Sequence, residues 1–543
     1  MSEISQNKKS NKILNGVVIL TVANIIVKII GLAYKIPLLR ILGENGMAYY
    51  NSAYQIYTWF YTLSTAGLPL AVAKLVAWAR AEGKFRQSEK TLKVALTVFG
   101  FIGIIGTAVM LTLAGPLSDL QSNPSARISI MMLAPTLFFI CLTSALRGFF
   151  QGYQNMLPTA ISEVIEAGSK LALGIALAMY ARSLGLSIAY QAAYAILGVS
   201  IGAVLSTLYL YITKKCFKTG ENKELDIGDD PSLRTKNISK SLLNIAIPIS
   251  LSSSVMSIAS LIDSFVMIGS LRSIGYEQSV AEGIFGNYTT QCVTMYNLPT
   301  VLVLPIAVGI VPFLTEKLQK NDKEGYRDLA ISSMKMTNVI AFPCALGMAA
   351  LANPILKMVF DNDTDTIAPM LSVLSLAIIF VGIVTVTNVI LQTYNKQYLT
   401  LISIICGALF KYISARVLTG FGGEQTLGVL GTPTSTVICY FVAAAMNIFF
   451  VIRCTRVVPK IGSVFVGPLA SALICAVAAG ACYRLISGAV GLTLSTLAAI
   501  CVAVPVYLVS IFIFGVITRE DVILLPKGNK IAALLTKLHL LKG

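Results

Sequence analysis

Charge is scarce in this chain. Asp, Glu, Lys and Arg together make up 12% of its 543 residues, roughly half the share found in soluble globular domains. So little charge cannot clothe a soluble protein of this length, particularly one whose composition is 56% hydrophobic. Histidine occurs once, at His539, which sets aside histidine-based acid–base catalysis and most zinc chemistry. No C-x-x-C pair is present, and the ten cysteines are scattered mostly within apolar runs. They read as small buried side chains rather than metal or redox ligands. A G-x-x-x-x-G-K-[ST] loop is also missing, so the chain carries no ATP-hydrolysing P-loop of its own.

Long apolar runs are abundant. Leu14–Leu39, Thr91–Leu113, Leu371–Leu391 and Leu492–Ile517 each exceed the roughly 20 residues that cross a bilayer as a helix. Continuous apolar segments exclude a strand-built barrel, which alternates over short stretches. The expected class is an all-α polytopic membrane protein. Lys8, Lys9 and Lys12 precede the first apolar run. That run is too long for a signal-peptide core, so the first helix is expected to stay as an anchor with its N-terminus inside.

Hydropathy and helix breakers predict about fourteen spans, at 15–39, 49–78, 94–115, 128–150, 158–180, 188–212, 241–270, 286–313, 329–352, 367–391, 397–415, 428–452, 463–483 and 491–517. The corresponding organisation is a cytoplasmic tail 1–14, a first lobe 15–212, a cytoplasmic linker 213–240, a second lobe 241–452, a terminal helix pair within 453–517 and a cytoplasmic tail 518–543. With both termini cytoplasmic, the inside segments hold 28 Lys and Arg against 7 outside. That asymmetry follows the positive-inside rule and accounts for the net charge of +17 without nucleic acid.

An internal repeat supports two six-helix lobes. Phe150-Gln-Gly-Tyr-Gln-Asn-Met-Leu-Pro-Thr159 resembles Leu391-Gln-Thr-Tyr-Asn-Lys-Gln-Tyr-Leu-Thr400, a shift of 241 that also sets Lys170 on Lys411. Gly67-Leu-Pro-Leu-Ala-Val72 echoes Val303-Leu-Pro-Ile-Ala-Val308. Parallel repeats with a cytoplasmic start imply a pseudo-twofold axis along the membrane normal. A cavity between lobes, as in alternating-access carriers, is then expected.

Charges inside spans are functional candidates by default, because burying one is costly. Seven are basic (Lys28, Lys35, Lys74, Arg147, Lys170, Lys335, Lys411) and three acidic (Glu163, Glu166, Asp263). Lys74, Arg147 and Lys335 lie near cytoplasmic span ends, where snorkelling to headgroups competes with a binding role. Lys28 and Lys35 are two turns apart on one helical face without an acid on their span, as expected of a cavity lining for an anion. Glu166 and Lys170 have the favourable i, i+4 order, so self-neutralisation competes with a substrate role. Glu163 and Glu166 together offer a shared-proton site for ion coupling. The net basic interior suits a phosphate or pyrophosphate, giving Lys28, Lys35, Lys170, Arg147 and Lys74 as substrate-binding candidates. No metal site is expected. Tyr34, Tyr54, Tyr57, Tyr61 and Tyr153 add hydrogen bonds or sugar contacts, or serve as interfacial anchors.

Fourteen spans arranged as two lobes plus two, with a basic interior, resemble the multidrug/oligosaccharidyl-lipid/polysaccharide flippase superfamily. Gly67-Leu-Pro-Leu-Ala-Val-Ala-Lys74 and Leu146-Arg-Gly-Phe-Phe-Gln-Gly-Tyr-Gln-Asn-Met-Leu-Pro-Thr-Ala160 are similar to its Gram-positive polysaccharide-biosynthesis branch. That branch includes MurJ-like lipid II flippases and the stage V sporulation protein B group. Lys28, Gly31 and Gly43 match the branch's first-span pattern, with Tyr34 at the second basic position and Lys35 one place later. Gly46-Met-Ala-Tyr-Tyr50 stands where relatives carry an acid.

The resemblance implies a non-enzymatic flippase, active as a monomer in the cell membrane. It would carry an undecaprenyl-pyrophosphate-linked sugar, most of all lipid II. It would need no cofactor, and membrane potential, H+ or Na+ would reset it. Membrane lipids and cell-wall synthesis proteins are the implied partners. Export of another lipid-linked glycan (capsule, teichuronic acid or spore cortex) and multidrug antiport are the rival functions. The resemblance further implies a second-lobe cation site, where Lys411 bound to Asp263 would replace a metal ion. Separate cavity lining by the two residues is the alternative.

Overall fold

The structure, a computed structural model, describes residues 2–217, 235–361, 365–420 and 427–516. Among the described residues every regular element is helical. This is the physical expectation for apolar segments in lipid, where each backbone donor and acceptor must be satisfied within the segment itself. Ten helical segments are long and apolar enough to cross a membrane, and they coincide with expected spans three to six and nine to fourteen. The other four expected spans fall on α1 (Ser2–Ala66), α2 (Leu68–Ala81), α9 (Thr235–Ser273) and the α10–α11 segment (Gln278–Asn287 and Val293–Gln319).

Two compact units divide the chain. The first comprises Met1–Arg272 with Tyr276–Thr290. It also contains α3 (Phe85–Thr112), α4 (Ala114–Leu120), α5 (Arg127–Leu133), α6 (Thr136–Gly152), α7 (Leu157–Ser183) and α8 (Ile188–Cys216). Helix α1 is broken at Gly43 (φ 67°, ψ −178°), a backbone conformation that only glycine adopts without strain. The motif Gly67-Leu-Pro starts α2, with the proline in its first turn, where the missing N–H does no harm. Gly148 lets α6 approach α2 so closely that a Cβ there would meet the Pro69 carbonyl and Val72. Leu68, Val72, Val76, Phe99, Phe149 and Phe150 fill the resulting core. The two family-like motifs thus meet in one packed seam.

The second unit comprises Ser273–Gly275 and Gln291–Gly543. After α11 it holds α12 (Lys323–Ala350), α13 (Ala352–Phe360), α14 (Ile367–Ser375), α15 (Ala377–Thr393), α16 (Gln397–Thr419), α17 (Gly431–Thr455), α18 (Gly467–Ile486) and α19 (Leu492–Ile513). Asp322 caps α12, its side chain accepting from the Gly325 N–H at 2.8 Å. The final pair packs on this unit, α18 against α12, and the Tyr507 hydroxyl of α19 donates to the Val339 carbonyl.

Packing and sequence repeat draw the internal boundary differently. The repeat starts the second lobe at residue 241, whereas packing groups α9 and α10 with the first unit, because α10 lies along α1. The joint falls in a π-helical turn, Tyr288–Cys292. Outward-facing positions are apolar, for example Phe101 and Ile104 on α3, Val477 on α18 and Ile513 on α19. Buried positions include Asn51, Gln121, Asn287 and Asn447. Greasy surfaces with hydrogen-bonded interiors are what lipid as solvent selects.

Candidate functional site

Of the charged candidates in the first unit, Arg147, Glu163, Glu166 and Lys170 gather on α6 and α7, next to tyrosines of α1. Tyr50, Tyr54, Tyr57 and Tyr61 recur at steps of four, three and four on α1, which aligns them on one face. Their ring centroids lie 5.8, 5.7 and 5.7 Å apart in sequence order, and Tyr34, from before the Gly43 break, joins Tyr50 at 6.0 Å. The Lys170 ammonium of α7 sits over this ladder, 4.1 Å from the Tyr54 centroid and 5.2 Å from that of Tyr34. Aromatic faces carry negative potential, so they solvate the ammonium where water is scarce.

One helix away, Arg147 of α6 is 5% exposed. Its Nη2 donates to Glu166 Oε2 at 3.0 Å and to Ser206 Oγ at 3.5 Å, and its Nε donates to Ser162 Oγ at 2.9 Å. The guanidinium fork therefore ties α6, α7 and α8 together. Glu166 pairs with this arginine from another helix, while Lys170, four residues on, turns to the tyrosines. Glu163 lies one turn before Glu166. Among the described residues its Oε2 is enclosed without a hydrogen-bond partner, as is the Tyr57 hydroxyl.

The remaining candidates scatter. Lys35 donates to the Thr289 carbonyl at 3.2 Å, whereas Lys28, two turns earlier, is exposed. Lys74 is also exposed, its ammonium 5.2 Å from the Trp78 ring. Arg147 and Lys335 are both buried, so neither snorkels to a headgroup. Asp263 belongs to the first unit and Lys411 to the second, and both side chains are buried. Among the described residues no group of three His, Cys, Asp or Glu could hold a metal ion.

Glu282 was not among the sequence candidates. Hydropathy puts residues 271–285 in an outside loop, but the structure builds helix α10 there and leaves Glu282 only 4% exposed. A weak amphipathic helix of ten residues leaves little trace in a span-length hydropathy window. Asn123, expected in an outside loop, is fully buried, donating to Ser52 Oγ at 2.9 Å.

Cations set against aromatic faces can hold an anion that carries a sugar. The structure therefore defines a multi-pass helical membrane protein with the fold of the multidrug/oligosaccharidyl-lipid/polysaccharide flippase superfamily. Residues 13–317, more than half of the chain, match the model of the polysaccharide biosynthesis protein family, and the chain belongs to that family.

Among Bacillus subtilis (strain 168) proteins, it is 23% identical over 530 residues to the uncharacterized membrane protein YabM, covering 96% of this chain and 97% of the relative. It is 22% identical over 517 residues to stage V sporulation protein B, covering 94% and 97%. It is 25% identical over 423 residues to lipid II flippase MurJ, covering 74% and 77%. The fold is similar to that of lipid II flippase MurJ in an inward closed conformation, with TM-score 0.65, 16% identity and coverage of 92% and 98%. It is also similar to an inward-facing multidrug resistance MATE transporter, with TM-score 0.63, 17% identity and coverage of 79% and 94%.

Proposed function

We propose that this protein flips a lipid-linked, pyrophosphate-bearing sugar, lipid II most of all, from the inner to the outer leaflet by alternating access. The carrying observation is the Lys170 ammonium over Tyr54 and Tyr34, beside the buried Arg147. Cations suit the diphosphate, and tyrosine faces suit a sugar ring. Lys28 and Lys35 extend the basic surface along α1. No covalent bond changes, and the lipid tail stays in the bilayer. Both termini lie in the cytoplasm, the carrier works as a monomer, and membrane potential, H+ or Na+ resets it. Cell-wall synthesis proteins are its functional neighbours.

Supplying the protein to cells depleted of their essential lipid II flippase tests the substrate. Rescue of growth is the expected result. Failure to rescue, with the protein correctly inserted, removes lipid II.

A second reading has its own support. The relatives that span nearly the whole chain are YabM and stage V sporulation protein B, while MurJ matches 74% of it. Export of a different lipid-linked polysaccharide, for capsule, teichuronic acid or spore cortex, is that reading. Accumulation of such a glycan-lipid inside cells lacking this protein would select it.

A further inference from the structure

The start of α3 and the end of α8 are tied by an ion pair, Lys214 Nζ to Glu89 Oε1 at 3.1 Å. Helix α6 packs against both helices and so floors the groove between them. On α3 the positions 86, 93, 97, 101 and 104 share one face. Arg86 and Lys93 are exposed at its start, and Phe101 and Ile104 are exposed farther along. On α8 the exposed face runs the other way, from Ile201, Leu205 and Leu208 to Tyr211 and Lys215. Both walls therefore change from apolar to cationic at the same end, where the ion pair lies.

Lys93 follows Glu89 by one turn of α3, and Tyr211 precedes Lys214 by about one turn of α8, so the two stand at one depth. The Lys215 ammonium lies 4.9 Å from the centroid of the Tyr211 ring. Lys214 neutralises Glu89, while among the described residues neither Lys93 nor Lys215 meets a carboxylate. These two lysines thus leave net positive charge at the groove mouth, beside a phenol hydroxyl. Their flexible stems let both ammonium groups rise to headgroup level, where tyrosine is also at home.

We propose that the α3–α8 groove is a binding site for an anionic phospholipid of the surrounding bilayer. Its phosphate sits between Lys93 and Lys215 and accepts from the Tyr211 hydroxyl. Its acyl chains lie along Phe101 and Ile104 on one wall and Leu205 and Leu208 on the other. A groove that is apolar along its length and cationic at one end matches an amphiphile with a negative head. A zwitterionic lipid fits less well, because its own cation meets the two lysines. The inference is independent of what the carrier transports.

The test is quenching of a tryptophan placed in the groove, Leu208→Trp in the full chain carrying Trp59→Phe and Trp78→Phe, in phosphatidylcholine bilayers. Brominated phosphatidylglycerol is compared as quencher with brominated phosphatidylcholine, so that a change in insertion cancels in the ratio. With the native charges, phosphatidylglycerol should bind at the reporter about fivefold more tightly, the pull of one well-placed cation on an anionic headgroup. Lys93→Gln with Lys215→Gln should bring the ratio close to one. Lys323→Gln with Arg327→Gln, which removes two exposed cations of α12, should leave it unchanged. Equal affinity for the two lipids with native charges overturns the site. So does a preference that survives loss of Lys93 and Lys215, or one that disappears with the α12 pair. Displacement by undecaprenyl diphosphate more than tenfold stronger than by phosphatidylglycerol would give the groove to the substrate lipid, and likewise overturn the proposal.

Discussion

The Arg147 guanidinium and the Glu166 carboxylate lie 3.0 Å apart, donated by different helices and both largely shielded from solvent. With Ser162 and Ser206 completing the arginine's bonds, the pair acts as a three-helix clamp. Removing one partner of a buried pair leaves an uncompensated charge, a loss of about 3–5 kcal/mol. Arg147→Ala should therefore lower the melting temperature of the detergent-solubilised protein, and Arg147→Lys should restore little of it, since an ammonium cannot reproduce the planar fork. An unchanged melting curve for Arg147→Ala would sink the clamp.

Lys28 is expected to behave differently. It is exposed on α1, so Lys28→Ala should leave insertion and stability intact. If this lysine grips the diphosphate, flipping should fall by about tenfold or more, the scale of a lost charge-assisted bond. Normal flipping by a correctly expressed Lys28→Ala protein would contradict substrate contact.

At Tyr54 the ring and the hydroxyl can be separated. Tyr54→Phe keeps the aromatic face under Lys170 and should preserve flipping, whereas Tyr54→Ala removes a cation–π contact worth about 2 kcal/mol when desolvated and should impair it. Equal activity in both variants would assign the ladder a role in packing alone.

Orientation is open to cysteine labelling. Asn321, in a loop expected inside, is exposed, whereas Asn123 is buried and Thr219 and Asn362 lie outside the described residues. Ser183 is a suitable exposed partner. In a chain whose exposed Cys216 and Cys501 are replaced by Ser, Asn321→Cys should label from the cytoplasm and Ser183→Cys from outside. The opposite pattern breaks the proposed topology.

Local chemistry along the chain determined a good deal. Scarce charge and long apolar runs sufficed for a helical membrane protein, since lipid permits little else. The Gly67-Leu-Pro and Leu146-Arg-Gly motifs carried the family resemblance, while their meeting in one close seam through Gly148 emerged only in the fold. Tyr34, Tyr54, Tyr57 and Tyr61 were legible as contact candidates, but Tyr50 and the stacked ladder emerged only in the fold. What hydropathy could not report is which helices become neighbours. Glu166 has Lys170 one turn away on its own helix, yet it takes Arg147, which tertiary packing brings alongside from α6. Glu282 and Asn123 sit in stretches polar enough to pass for loops. The fold encloses both because their hydrogen-bond partners, Tyr49 and Ser52, arrive from α1. A polar residue's fate in an apolar protein depends on partners distant in sequence, and only the folded chain supplies them.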